Sequence, residues 1–483
     1  MRLNHVSDDL AWLLAGGAAA AGFALFYTWS AYLLGPLILP VLLLGLAFVV
    51  LAFAFPWVGV AGAMLAIPME LFALPLPTGS ISPAEGALAL SGVAYLARLV
   101  IRPDSVRKPS TRDVPFLILL GAISVGLAFA EEPAPITRTL ILWSLWYAVF
   151  LQVQTFDARQ MRLVVGGLVI GAGILGAIGA IQYIQSGGSG LYGGGAGVDD
   201  RVAGTFGSGG DQSATNYYAS ALQLAALPAI AMLIWSPRRN IWMLPFAVAI
   251  VLGLLFSLSR GGTLGFAAGL LLLVALWGRA RVAVTLVAIV AVGLTVAGAN
   301  PLIGSSDVET IQARLSSAGD FGASRTNLRP RAYSEAIDLT AENPLFGIGV
   351  NQFRNVVATR GPHLSELGQP LEDAHNVFLS LGAETGLIGL GGFCFFVGIL
   401  VARARAALRS RGVLTRPLAL GFAAALFGFA IQGMTVTQNR NHLLWGMFLV
   451  IGGMLVALGD RADAARASAE PGPDRGPATA SAA

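Results

Sequence analysis

Charged residues are scarce in this sequence: only 12% of its 483 residues are Asp, Glu, Lys or Arg, whereas 55% are hydrophobic. A soluble protein of this length needs a more polar surface than this composition supplies. The composition therefore excludes an ordinary soluble protein and indicates a protein that crosses a membrane several times. The net charge of +4 is too small to indicate nucleic-acid binding.

Cysteine and histidine are also rare. The one cysteine, Cys394, lies inside an apolar segment, so the chain cannot form an internal disulfide or a cysteine-based metal site. None of the four histidines has a partner at the spacing of zinc ligands. They are His5, His363, His375 and His442. The sequence therefore favours a mechanism that uses no metal and no other cofactor.

Long apolar segments recur along most of the chain. A helix needs roughly 17–25 apolar residues to cross the hydrocarbon layer, and about fourteen segments meet this criterion. They cover residues 10–28, 33–55, 57–75, 82–101, 114–130, 137–154, 162–184, 213–235, 240–258, 261–278, 281–298, 376–402, 417–436 and 441–459. We expect an all-α polytopic membrane protein with about 12–14 transmembrane helices. The first segment lacks a small-residue cleavage site, which favours a retained helix over a signal peptide.

Arginines in the short loops predict the orientation, because such residues stay on the cytoplasmic side. All of these loops fall on one side of the membrane: 102–112, 159–162, 238–239, 279–281 and 403–416. Both termini are predicted on the same side. The opposite side then receives the two long polar segments, 186–212 and 300–375.

These limits divide the chain into six parts. They are N-terminal transmembrane helices (1–185), a Gly-rich outer loop (186–212), central helices (213–299), a second outer loop (300–375), C-terminal helices (376–459) and a tail (460–483). The tail is rich in Ala, Pro and Gly and is predicted to be disordered. In the second loop, residues 305–317 and "RPRAYSEAIDLTAENP" (329–344) have helical spacing, and the latter ends at the helix-stop pair Asn343-Pro344. "PLFGIGVNQF" then predicts a turn at Gly347 and Gly349.

Ionisable residues at the outer ends of the spans are the candidates for chemistry. They are Arg201, Arg260, Arg325, Arg329, Arg331, His375, Glu384 and Arg440. Arginines on this side run against the usual bias and need a reason. Arginines can hold a pyrophosphate as it leaves, and an imidazole can take a proton from an attacking hydroxyl. The group as a whole predicts transfer from a lipid pyrophosphate.

Each candidate also has a purely structural interpretation. Arg260 can extend its guanidinium to the membrane interface, and the arginines of 325–331 can form a solvated helix face. His375 and Asn376 can simply begin a helix. Glu384, about 13 Å further along that helix, can make a hydrogen bond between helices. The sequence leaves these alternatives open.

Four motifs, in order, resemble one known family. "RVAGTFGSGGDQSATNYYA", "SLSRGGTLGF", "NPLFGIGVNQF" and "DAHNVFLSLGAETGLIGL" are similar to segments of the O-antigen ligase and O-antigen polymerase superfamily of bacterial membrane glycosyltransferases. The resemblance implies a helical fold of the lipid-dependent glycosyltransferase type in the inner membrane, with residues 300–375 capping a periplasmic site. It also implies a glycan donor on undecaprenyl pyrophosphate, transferred with inversion and without a metal.

The resemblance assigns roles to individual residues. It makes His375 the candidate catalytic base or acceptor-positioning group, and Arg201 and Arg260 candidate pyrophosphate ligands. Arg329 is the best match for a loop arginine that lies four residues before an aromatic residue, here Tyr333.

Several further residues take supporting or competing roles under the same resemblance. Asn376, Glu384 and Arg331 are supporting residues, and Arg325 and Arg331 compete with Arg329. Asn216 is a candidate for an asparagine that the family often shows after its Gly-Thr-Phe-Gly run.

The function expected from these features is that of a polymerase of O-antigen or another surface polysaccharide. It would transfer the glycan to a lipid-linked acceptor sugar, and membrane lipids would surround the protein. A chain-length regulator is a further candidate partner. A ligase that transfers to lipid A core, or to a protein hydroxyl, is the alternative. A flippase of lipid-linked sugars and a non-catalytic scaffold are alternatives of other classes. A flippase should carry several charged residues inside its spans. The span interiors here are almost free of charge, with Glu70 and Glu384 as the exceptions, and this argues against a flippase.

Overall fold

The computed structural model describes residues 38–76, 79–130, 132–185, 202–206, 214–277, 329–360, 371–409 and 415–468. Up to residue 256 the elements are α1 (Ile38–Ala54), α2 (Pro56–Leu65), β1 (Leu74–Leu76), β2 (Gly79–Ile81), α3 (Pro83–Ile101), α4 (Val114–Gly126), α5 (Pro133–Val153), α6 (Ala158–Gln185), α7 (Ala214–Trp235), α8 (Pro237–Asn240) and α9 (Leu244–Phe256). From residue 260 they are α10 (Arg260–Trp277), α11 (Arg329–Glu342), α12 (Phe353–Thr359), α13 (Val377–Leu408), α14 (Thr415–Gly433) and α15 (His442–Ala467). The two strands form one antiparallel hairpin.

Nine helical segments in the described part of the chain are long and apolar enough to cross a membrane. They are α3, α5, α6, α7, the segment Pro237–Phe256, α10, α13, α14 and α15. Each overlaps one predicted span, and the all-α polytopic membrane fold is thereby confirmed. The predicted spans 10–28 and 281–298 lie outside the described residues, so the full helix count stays a prediction.

The predicted span 57–75 is wrong in its second half. α2 ends at Leu65, and a 3-10 helix (Ile67–Phe72) and the β-hairpin follow. Pro68 and Pro75 lack a backbone N–H and prevent a continuous α-helix. Glu70, which the sequence placed inside a span, lies in this 3-10 helix instead.

One other predicted span is shorter than expected. α4 ends at Gly126 rather than at 130. Residues 33–37 of the predicted span 33–55 lie outside the described residues, and α1 covers the rest of it as far as Ala54. A Cβ on Gly126 would lie 3.2 Å from the Cα of Gly349. Part of the outer loop therefore packs against the end of α4.

α7 and the part of α15 up to Gly459 occupy the centre of the bundle, because almost every residue of α7 and every residue of this part of α15 is buried. The rings of Trp143 on α5 and Trp445 on α15 stack with centroids 4.6 Å apart. α10 and α14 cross very closely, since a Cβ on Gly428 would lie 2.3 Å from the carbonyl oxygen of Gly265. Small residues at such crossings are typical of helix packing within membranes.

Ion pairs gather at the end of the bundle where the sequence places the cytoplasmic loops. Arg112 lies 2.7 Å from Asp460, and Arg403 lies 3.0 Å from Asp460 and 2.7 Å from Asp463. These contacts hold α15 against α13 beyond the membrane-spanning part. α15 consequently continues to Ala467, past the boundary at 460 where the disordered tail was predicted to begin.

α13 is broken at Gly386, whose φ of +64° and ψ of −173° are not helical. Residues of the segment 344–349 bond the backbone groups around the break. The bonds run from Leu387 N–H to Pro344 O (2.7 Å), from Ile348 N–H to Ala383 O (2.9 Å) and from Gly349 N–H to Glu384 O (3.0 Å). Gly347 and Gly349 have φ of +67° and +95°, which confirms the predicted turn. The outer loop is thereby fixed to the broken helix, because a freed backbone group in an apolar layer must find a partner.

Candidate active site

His375 lies in a tight turn immediately before α13. Its φ of +47° is in the left-handed region, and its backbone N–H donates to Oδ1 of Asp373 over 2.6 Å. The ring atom Nδ1 lies 3.1 Å from the same oxygen. The side chain of Asp373 is 4% exposed and that of His375 is 32% exposed. Because Nδ1 faces the buried carboxylate, Nε2 is the ring atom left to meet a substrate.

Asp373 is held from a second direction. The hydroxyl of Thr437, in the loop between α14 and α15, donates to Oδ1 of Asp373 over 3.0 Å. Both residues are buried. The sequence interpretation did not single out either residue, although an aspartate two positions before a histidine is a common local turn signal. Thr437 carries no comparable signal in the sequence, because only the fold brings its side chain next to Asp373.

Asn376 is the N-cap of α13. Its Oδ1 accepts the backbone N–H groups of Phe378 and Leu379, and its Nδ2 donates to the carbonyl oxygen of Met434 over 3.1 Å. The same carbonyl accepts the hydroxyl of Tyr333 at 3.1 Å. The helix-entrance interpretation therefore describes Asn376 well. Through Met434, the end of α14 joins α11 and α13 at one point beside His375.

Arg260 is the first residue of α10 and is half-buried. Ser259 precedes it, and the Ser259 hydroxyl accepts the Gly262 N–H and donates to Oδ1 of Asn216 over 2.8 Å. These bonds fix the start of α10 against the start of α7. A helix N-terminus also favours a nearby anion. Among the described residues, Arg260 forms no salt bridge.

Arg329 lies beside this helix end. Burial lowers the pKa of its guanidinium, the Tyr333 side chain raises it, the positive charge of Arg260 lowers it further, and Asp373 raises it again. Each of these groups is therefore near enough for its charge to act on Arg329. The described fold thus places Arg260, Tyr333 and Asp373 within electrostatic range of Arg329.

Three further arginines were predicted for this site. Arg331 is exposed on α11, two residues from Arg329 and so on a different side of the helix. Of the two competing loop arginines that the structure describes, Arg329 and Arg331, Arg329 lies within electrostatic range of Arg260. Arg201 and Arg325 lie outside the described residues, and their roles stay predictions.

Glu384 and Arg440 form a buried ion pair below the turn, with Nη2 of Arg440 3.4 Å from Oε1 of Glu384. The Ser380 hydroxyl donates to the other carboxylate oxygen over 3.3 Å. Glu384 therefore joins α13 to the segment that carries Arg440, which is the kind of structural role that the alternative interpretation expected. Within the described ranges, no three His, Cys, Asp or Glu side chains gather closely enough to hold a metal ion.

An apolar cavity of about 500 Å³ begins next to the turn. Near the site it is lined by Val377, Phe378 and Gly433, each within two residues of Asn376 or Met434 in the chain. Its other lining residues come mainly from α10, α13, α14 and α15, and it continues along α13 as far as Arg405 and Leu408. A long apolar space thus reaches the residues that directly follow Asn376 on α13.

Part of the chain matches a known protein family. Residues 245–394 match the model of a family described as O-antigen ligase. The matched range begins in α9 and ends in α13, so it includes Arg260, Arg329, Asp373 and His375. No curated protein matches the sequence.

Proposed function

We propose that this chain, a member of the O-antigen ligase and polymerase superfamily through residues 245–394, is a polymerase of O-antigen or another surface polysaccharide. The family match supports glycosyl transfer of the ligase or polymerase type. Our finer proposal is a donor glycan on undecaprenyl pyrophosphate and an acceptor sugar on a second lipid-linked glycan. The reaction inverts the anomeric centre and needs no metal.

One observation carries this proposal: the buried Asp373 orients His375, and Asp373 and Arg260 both lie within electrostatic range of Arg329. An oriented imidazole suits the removal of a proton from an acceptor hydroxyl. Two guanidinium groups within electrostatic range of each other suit a pyrophosphate, whose charge grows as it leaves. Few other ligands require both features at a membrane boundary.

In the proposed step, Nε2 of His375 takes the proton of the acceptor hydroxyl as its oxygen attacks the anomeric carbon of the donor. The new glycosidic bond forms while the bond from that carbon to the pyrophosphate oxygen breaks. The bonding electrons pass to the pyrophosphate, where Arg260 and Arg329 stabilise the added charge. Asp373 stabilises the imidazolium that His375 becomes.

The apolar cavity supports a lipid-linked substrate. Its walls are almost entirely hydrophobic, and it starts beside the turn that carries His375. A hydrocarbon chain can lie there while its head group meets the arginines. The position of the arginine-rich loops supports a periplasmic location for this end, with both termini in the cytoplasm.

The test is a transfer assay with purified protein in liposomes and a labelled glycan on undecaprenyl pyrophosphate. Two acceptors are offered separately: a second lipid-linked glycan and a lipid A core. We expect a ladder of longer lipid-linked glycans with the first acceptor, also when a chelator is present. Label on the lipid A core alone would make the protein a ligase, and donor movement across the bilayer without a new glycosidic bond would make it a flippase.

A further inference from the structure

The buried pair Glu384 and Arg440 reaches the candidate site through one specific contact. Nη1 of Arg440 donates to the carbonyl oxygen of Glu372 over 2.6 Å, while Nη2 faces Glu384. Glu372 is the residue immediately before Asp373. Arg440 therefore connects the carboxylate on α13 to the backbone of the turn that carries His375.

Glu384 is in turn fixed by the outer loop. Its backbone carbonyl oxygen accepts the Gly349 N–H over 3.0 Å, and its carboxylate accepts the Ser380 hydroxyl over 3.3 Å. The Glu384 side chain is completely buried, and that of Arg440 is 19% exposed. The orientation of Arg440 thus depends on a carboxylate that cannot easily move.

The loop between α14 and α15 holds the turn at two consecutive residues. Thr437 bonds the side chain of Asp373, and Arg440 bonds the carbonyl of Glu372. If the ion pair of Glu384 and Arg440 served only to join two segments, the bond from Arg440 to the Glu372 carbonyl would not be needed. These contacts act on the segment whose shape decides where the imidazole of His375 points.

We propose that Glu384 and Arg440 are positioning residues, which hold the turn of Asp373 and His375 in the geometry needed for transfer. The expected effect on the transfer rate rests on the proposed function, whereas the structural claim that the pair holds the turn does not. Because Arg260 and Arg329 would still bind the donor, loss of the pair should slow the chemical step and leave donor affinity nearly unchanged. A displacement of about 1 Å at a reacting group can cost on the order of a hundredfold in rate.

The variants are Arg440→Gln, Arg440→Lys and Glu384→Gln, each with the full chain purified in detergent and checked for folding by size-exclusion chromatography. Arg403→Gln is the matched control, because it removes two ion pairs at the opposite end of the bundle. A single substitution leaves one buried charge unpaired, which can prevent folding. The double variant Glu384→Gln with Arg440→Gln removes both charges and keeps the test available in that case.

Two quantities are measured, and the first does not require activity. The rate at which diethyl pyrocarbonate modifies His375, followed by peptide mass spectrometry, should rise severalfold in the pair variants and stay unchanged in Arg403→Gln. The second is the separation of kcat from KM for the lipid-linked donor. We expect kcat to fall about tenfold or more with KM nearly constant, and Arg440→Lys to recover part of the loss.

The results separate the two claims. If wild-type protein shows no transfer but His375 becomes more reactive in the pair variants, the proposed function fails and the positioning role stands. If His375 reactivity is the same in folded pair variants as in wild type, the pair does not position the turn. Unchanged kcat in those variants would contradict the inference equally.

Discussion

Oδ1 of Asp373 lies 3.1 Å from Nδ1 of His375 and also accepts the backbone N–H of the same histidine. One buried oxygen therefore fixes both the turn and the ring orientation of His375. Thr437 donates to this oxygen as well. The geometry is that of a base and an orienting carboxylate.

Asp373→Asn keeps the size of the side chain but removes the negative charge that stabilises protonated His375. We expect kcat for glycan transfer to fall on the order of a hundredfold, while the protein remains folded. Asp460→Asn, at the opposite end of the bundle, is the control and should retain activity. Equal activity in the two variants would show that Asp373 has only a structural role.

Variants of Arg260 distinguish two roles for this residue: binding of the pyrophosphate, and simple extension of the guanidinium to the membrane interface. Arg260→Ala leaves developing charge on the leaving group unbalanced, and we expect a loss of about a hundredfold or more in rate. Arg260→Lys keeps the charge without the two-pronged geometry and should retain part of the activity. Donor turnover of the Ala, Lys and Gln variants is compared at matched expression.

The Gln variant at position 260 decides between the two interpretations. A residue that only reaches the interface tolerates glutamine, because a polar head group is sufficient there. If Arg260→Gln is as active as wild type, the pyrophosphate assignment is wrong for Arg260. The case for Arg201 would then be weakened as well.

Gly386→Ala should destabilise the contact between α13 and the outer loop. A Cβ at Gly386 would lie 2.3 Å from the backbone of Leu345, and the φ of +64° disfavours any other residue. We expect a cost of about 2–4 kcal/mol in the free energy of unfolding. Gly391→Ala is the matched control on the same helix, because nothing lies within 4 Å of its Cβ position. A thermal unfolding midpoint equal to that of the control would contradict the observed break in the helix.

Glu70 should make stability depend on pH. Burial, and then the charge of Glu85, raise the pKa of Glu70 from 4.5 to about 8. Folded protein therefore binds more protons than unfolded protein between these values, so the free energy of unfolding falls as pH rises through this window. Glu70→Gln should reduce the difference in unfolding temperature between pH 6 and pH 9. Asp104→Asn, whose side chain is fully exposed, is the control and should leave that difference as in wild type.

Much of the fold follows from apolar segment length alone. The nine spans in the described residues were all predicted, because helix length is set by membrane thickness. α13 and α15 run beyond their predicted ends at 402 and 459, to Leu408 and Ala467. The turn at Gly347 and the end of α11 before Asn343-Pro344 were also predicted. The break at Gly386 was not, because glycine is common in this sequence and only the contact with residues 344–349 gives this one a special role.

The site was predictable only in part. His375, Arg260 and Arg329 carry a signal in the sequence, because they are ionisable groups at the outer ends of apolar segments. Thr437 and the Met434 carbonyl carry none, since their roles depend on contacts between segments far apart in the chain. Arg440 was noticed only as an arginine in an unexpected place, and its bond to the carbonyl of Glu372 required the structure.

The most direct test of the central claim is the rate of glycan transfer from undecaprenyl pyrophosphate by purified wild type and His375→Ala. Donor binding is measured in parallel with an unreactive lipid pyrophosphate. The proposed mechanism predicts that His375→Ala binds the donor as wild type does, forms no glycosidic bond above background, and elutes as folded protein. Transfer by His375→Ala at a rate close to that of wild type would contradict the account.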